Sequence, residues 1–113
     1  MNIQIFGTKK SSDARKAERW FKERRIRFQY IDLKEKGLSK GELASVAQAV
    51  GGYAALIDEK AKDGYALALV QHTPASMLPE KLLENQQVLI QPIVRNGRQA
   101  TVGYAPDVWK TWE

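Results

Sequence analysis

The sequence has no cysteine among its 113 residues, which excludes disulfides, a thiolate nucleophile, thiolate metal ligands and redox sensing through its own thiols. Histidine is almost as scarce. The one imidazole, His72, has no neighbouring ligands in sequence, so it reads as a surface or partly buried structural residue and no metal is assigned. No apolar run approaches the ~20 residues a membrane-spanning helix needs. The N-terminus enters a strand pattern without the charged and apolar regions of a signal peptide, so a cytoplasmic protein without membrane attachment is expected. There is no repeat, low-complexity tract or linker, and one domain over residues 1–113 is expected, long enough to bury a core without staples.

What is present is ordinary globular material, 43% hydrophobic and 27% charged, which should fold alone. The net charge of +5 is unevenly placed. Residues 1–27 hold nine Lys/Arg against three Asp/Glu, so the positive excess is N-terminal and the remainder is close to neutral. Such a surplus suits a nucleic acid, an acidic protein face or a small anion, but a basic helix is most often a solvated face.

The first seventeen residues organise the chain. Asn2 to Phe6 form a β-prone run, Gly7 breaks it, and Thr8-Lys9-Lys10-Ser11-Ser12-Asp13 leads into a helix. A turn of this kind directs backbone N–H groups at one spot, and Lys9, Lys10 and Ser12 make an anion-binding loop of it. From Asp13 to about Arg25, Ala14, Ala17, Trp20 and Phe21 follow helical spacing, with Ser11 or Ser12 as the cap. Ile26, Phe28 and Tyr30 then alternate with Arg27 and Gln29 as a strand, and a connection this long implies a parallel pair. The Gly7 turn would thus lie at the carboxyl edge of the sheet, where ligands of open α/β sheets gather.

Ser39 and Glu42 have capping-box spacing, Leu43, Val46, Ala47 and Val50 form an apolar stripe, and Gly51-Gly52 ends that helix. Residues 53–86 lack alternation. Thr73-Pro74 and Leu78-Pro79 read as starts of short helices, while Tyr65 to Val70 fits either a helix or a buried strand, so a helical insert over about 39–86 is expected. Pro92 to Arg95 and Gln99 to Gly103 describe a hairpin about Asn96-Gly97, whose residues supply the positive backbone angles of a primed turn. A last helix from Ala105-Pro106-Asp107 carries Val108, Trp109 and Trp112 at core-packing positions. The order β-α-β, helical insert, β-hairpin, α is that of an α/β protein with a thioredoxin-like mixed sheet.

The run Ile5-Phe6-Gly7-Thr8-Lys9-Lys10-Ser11-Ser12-Asp13-Ala14-Arg15-Lys16-Ala17 resembles the active-site segment of the glutaredoxin-linked arsenate reductase (ArsC) family and its Spx-like regulator relatives. Tyr30 to Lys36 resembles the family's post-strand segment, Leu89 to Val94 its Arg-Pro strand entry, and Val102-Gly103-Tyr104 its closing turn, so the resemblance covers essentially the whole chain. It implies an ArsC-like fold, with the helical insert after the second strand. Ser11 stands where the family places its nucleophilic cysteine, and Ala14 where Spx places the second cysteine of its pair. Gln91 occupies the strand-entry arginine position and Lys60 that of another family arginine, while Arg15 is retained. The resemblance further implies that the Gln91-Pro92 bond is cis and packs beside the Gly7–Ser12 loop, making Lys60, Gln91 and Pro92 pocket residues.

Reduction of arsenate requires a thiolate to attack the oxyanion and a disulfide to complete turnover, and a serine hydroxyl without an adjacent base supplies neither. Three readings follow. The first is a non-redox binding or regulatory module, monomeric and without cofactor, docking a partner such as RNA polymerase as the Spx resemblance implies, or holding a small oxyanion. The second is a glutathione- and glutaredoxin-dependent oxidoreductase in which serine has replaced the cysteine at position 11. The third is nucleic-acid binding through the basic N-terminal helix, which has charge in its favour but no reading motif.

Overall fold

Along the first strand, β1 (Ile3–Gly7), Ile3 and Ile5 bury on one face and Phe6 on the other, so both faces must be covered. The computed structural model, which describes residues 1–112, shows how. Helix α1 (Ser12–Glu23) leads from β1 to β2 (Phe28–Asp32), which pairs parallel with β1. Helices α2 (Lys40–Val50), α3 (Gly64–Gln71) and α4 (Leu78–Glu84) follow, joined by 3-10 turns. The hairpin β3 (Ile93–Asn96) and β4 (Gln99–Val102) then returns antiparallel beside β1, and α5 (Pro106–Trp109) closes the described chain. The strand order is β2-β1-β3-β4. None of these helices is long and apolar enough to cross a membrane.

Two cores lie on the two faces of this sheet. Ile3, Ile5 and Val94 pack with Ala17, Trp20, Phe21 and Trp109 of α1 and α5. Phe6, Ile31 and Ile93 pack with Leu43 and Val46 of α2, Leu82 of α4 and the buried Leu56 and Leu89. The alternation predicted for β2 is present, but Phe28 and Tyr30 are only half-buried because β2 is an edge strand with no neighbour on its outer side among the described residues. The Ser39–Glu42 capping box is formed in both directions, at 3.1 and 2.8 Å. Burial alone would raise the Glu42 carboxyl, but the Ser39 N–H and hydroxyl, helped by Arg95 and Lys36, hold it below the usual carboxylate range.

Several expectations are refined. Tyr65 to Val70 is helical, and its burial is limited to the Ala66 and Val70 positions of α3. Pro74 and Pro79 do open short helical elements. The hairpin turn is Gly97-Arg98 rather than Asn96-Gly97: Asn96 pairs with Gln99 in the ladder, and of the turn only Gly97 has a positive φ, +63°. Val108 is 44% exposed, a correction to its core assignment, because the short α5 offers its inner face to Trp109 alone.

Helix α1 ends in a Schellman motif, with Arg25 N–H on the Lys22 carbonyl and Ile26 N–H on the Phe21 carbonyl, both at 3.0 Å. Arg25 takes the left-handed position at φ 57°, where a side chain is disfavoured. Replacing it by glycine, Arg25→Gly, is expected to stabilise the protein by roughly 0.5–1 kcal/mol, read as a raised urea midpoint with unchanged slope. A lowered midpoint would show that the arginine side chain contributes more than its backbone costs.

Candidate functional site

The chain leaves β1 at Gly7 because nothing larger fits. A Cβ there would lie 2.8 Å from Ala14 Cβ and 3.2 Å from the Tyr30 hydroxyl, so the loop and the first turn of α1 can close only over a glycine and a small residue. The loop then tightens by Ser11 N–H donating to the Thr8 carbonyl at 3.1 Å. Ser11 is the N-cap of α1, its hydroxyl accepting from Ala14 N–H at 3.1 Å, so the capping reading holds and Ser12 is the first helical residue.

Across the loop, the Gln91–Pro92 peptide is cis, as expected. Gln91 reaches the loop directly: its Oε1 accepts from Thr8 N–H at 2.8 Å and from the Thr8 hydroxyl at 3.2 Å. An amide carbonyl therefore occupies a loop N–H that an anion could otherwise use. Among the described residues, the amides of Lys10, Ser12 and Asp13 have no protein acceptor.

The loop forms one wall of a cleft of about 850 Å³. Its other walls come from the segment after β2, the stretch between Asp58 and Asp63, and the chain from Leu83 to Gln91. Lys10, Ser11, Ser12, Lys60 and Gln91 all line it. Lys9, Arg15 and Pro92 do not: the Arg15 guanidinium donates back to the Lys9 carbonyl, and Pro92 is buried. Lys34, Lys36 and Lys62 join Lys10 and Lys60 at the wall, and none of the five forms an ion pair among the described residues. The acidic side chains present are partly engaged, with Asp58 accepting from Lys60 N–H at 2.9 Å and Asp63 capping α3 while bonded to Gln87. Those hydrogen bonds hold the Asp63 carboxyl below its ordinary range.

Among the described residues no side chain accepts a hydrogen bond from the Ser11 hydroxyl, whose partner is Ala14 N–H. His72 is not part of the cleft wall; it is exposed at the end of α3 with Nδ1 on the Ala68 carbonyl. The Tyr30 phenol is pushed up by burial and then by Glu18 and Asp32, against a smaller opposing effect of Arg15, so it stays protonated.

No protein-family profile and no curated protein matches the sequence. Solved structures do. An ArsC family related protein from Bacteroides fragilis superposes with a TM-score of 0.85, covering 100% of this chain and 98% of that one at 18% identity. An arsenate reductase from Vibrio cholerae gives 0.79 over 96% and 94% at 24% identity. An ArsC-related protein from Brucella melitensis gives 0.66 over 99% and 94% at 19%. This chain has the ArsC-like fold.

At these identities the likeness is one of backbone, and the side chains must speak for the chemistry. The ArsC-like backbone places position 11 at the cap of α1 and position 91 against the loop, but the residues there are a serine and a glutamine. Sequence reasoning missed Gln86, which braces the cleft from within. Its Oε1 accepts from Leu38 N–H at 2.8 Å, and its Nε2 donates to the carbonyls of Leu38 at 2.9 Å and Leu83 at 3.3 Å. Gly37, at φ +71°, makes room for it, since a Cβ there would lie 2.5 Å from Gln86 Oε1. Leu38 is 48 residues from Gln86 in sequence, so no local pattern could reveal that pairing. Gln86→Ala is expected to cost about 1–3 kcal/mol by orphaning Leu38 N–H and C=O. A urea midpoint within error of the parent would show that the bracing is dispensable.

Proposed function

We propose that the protein is a binding or regulatory module that keeps the ArsC-like fold without thiol chemistry. The observation that carries this reading is the state of position 11: the Ser11 hydroxyl caps α1, no side chain among the described residues accepts from it, and the facing Gln91 carbonyl is already bonded to the loop. What remains is a cleft walled by five lysines that form no ion pair among the described residues, suited to holding an anionic group but not to turning one over. By its resemblance to Spx-like regulators, the proposed partner is RNA polymerase in the cytoplasm, met by a monomer that needs no cofactor.

Arsenate turnover with glutathione and glutaredoxin is expected to equal a no-protein control, because no thiolate is available to attack the oxyanion. Measurable reduction would restore the oxidoreductase reading. Titration against purified RNA polymerase is expected to show saturable binding. If that binding is absent, and a fluorescent duplex binds at low salt with an affinity that falls steeply as salt rises, the nucleic-acid reading replaces this one.

A further inference from the structure

The open edge of β2 is a feature that the cleft does not use. With the order β2-β1-β3-β4, β2 has one neighbour and nothing pairs with its outer side among the described residues. Leu33 N–H donates toward β1, to the Gly7 carbonyl at 3.0 Å. Backbone groups alternate along a parallel strand, so Gln29 and Ile31 also bond inward, while Phe28 and Tyr30 turn their N–H and C=O groups to the open side. Gln29 is exposed, and the Phe28 and Tyr30 rings are half-buried against α1, so no large side chain stands in the way.

Charge names the visitor. Of the Lys/Arg in residues 24–36, Lys34 and Lys36 stand at the cleft wall and Arg24 lies over the Trp20 ring, which leaves Arg25 and Arg27 at the entry to β2, while the Asp32 carboxylate accepts from Lys34 N–H at 2.8 Å. Arg25 and Arg27 are exposed, and neither forms an ion pair among the described residues. Like charge of this kind opposes pairing with a second copy of the same edge and favours an acidic chain. We propose that the outer edge of β2 docks an extended acidic segment of a partner protein, which adds to the sheet as a further strand. Main-chain hydrogen bonds to Phe28 and Tyr30 provide the attachment, and Arg25 and Arg27 select an acidic sequence. The β2 edge takes its partner through groups that do not line the cleft, so docking there does not depend on whether the cleft binds an anion.

The test uses the full chain and a capped synthetic peptide alternating glutamate with valine, beside the same peptide with lysine for glutamate. Amide hydrogen exchange by NMR is expected to slow at Phe28 and Tyr30 with the acidic peptide alone. Arg25→Glu combined with Arg27→Glu is expected to weaken binding by about tenfold. Neither residue lines the cleft or lies in a core, and the double variant keeps a side chain at position 25, so the comparison is between folded proteins of like backbone. The proposal is overturned by no binding at low salt, by protection confined to the cleft or to α1, or by binding unaffected by the charge reversals. Protection of β2 that rises with protein concentration and needs no peptide would also overturn it, assigning the edge to a second copy.

Discussion

Trp109→Ala is expected to remove about 3–5 kcal/mol of stability, the cost of a large aromatic truncation in a close-packed core. Trp109 is 1% exposed and sits at the junction of α1, α5 and the sheet. Its ring meets Trp20 edge-on at 5.4 Å, Phe21 at 5.1 Å and Tyr104 at 5.4 Å, so alanine would leave three aromatic neighbours facing a void. Its indole N–H also donates at 2.8 Å to the hydroxyl of Thr101, the one buried polar side chain among the described residues. Trp109→Phe separates the two contributions. It restores much of the ring volume and leaves Thr101 orphaned, so it should recover part of the loss and retain about 1–3 kcal/mol of it. Urea denaturation of the three proteins decides the matter; a Trp109→Ala midpoint close to the parent would mean that α5 does not hold the α1 face of the sheet.

Ser11→Cys is expected to create a reactive thiol and still no arsenate turnover. The side chain at position 11 accepts from Ala14 N–H at the start of α1, and a thiolate there would gain that hydrogen bond and the positive end of the helix. Its pKa should fall below the unperturbed ~8.5, as for other cysteines at helix N-termini. The sign is consistent: a depressed folded-state pKa adds stability above the unfolded value and loses it as pH falls through the folded one. Iodoacetamide alkylation against pH measures this, and a midpoint at or above ~8.5 would refute the activation. Turnover is expected to stay absent because Gln91 brings no charge to the loop and its carbonyl is bonded to Thr8. Reduction by this single variant would show that an arginine at position 91 is not required.

The sequence by itself determined the elements whose pattern is local. The strand ending at Gly7, a serine cap at position 11 or 12, the Ser39–Glu42 capping box and the apolar stripe of α2 follow from spacing and hydrogen-bonding chemistry within a few residues. The missing cysteine likewise settled what chemistry was closed to the chain before any coordinates. Where neighbours in space are remote in sequence, the tertiary structure decided. Tyr65 to Val70 carries no charge and could satisfy a helix or a strand, and packing of Ala66 and Val70 against α4 and its flanking turns made it helical. Asn96-Gly97 announced a tight turn, but the register of β3 on β4, which pairs Asn96 with Gln99, set which two residues form it. Arg15 follows the basic loop closely in sequence, yet its position on α1 turns it away from the cleft that Lys34, Lys36 and Lys62 enter from distant segments. Gln86 and the open edge of β2 were invisible for the same reason: hydrogen-bond partners and strand neighbours are properties of the assembled sheet and its covering helices, and local periodicity carries no record of them.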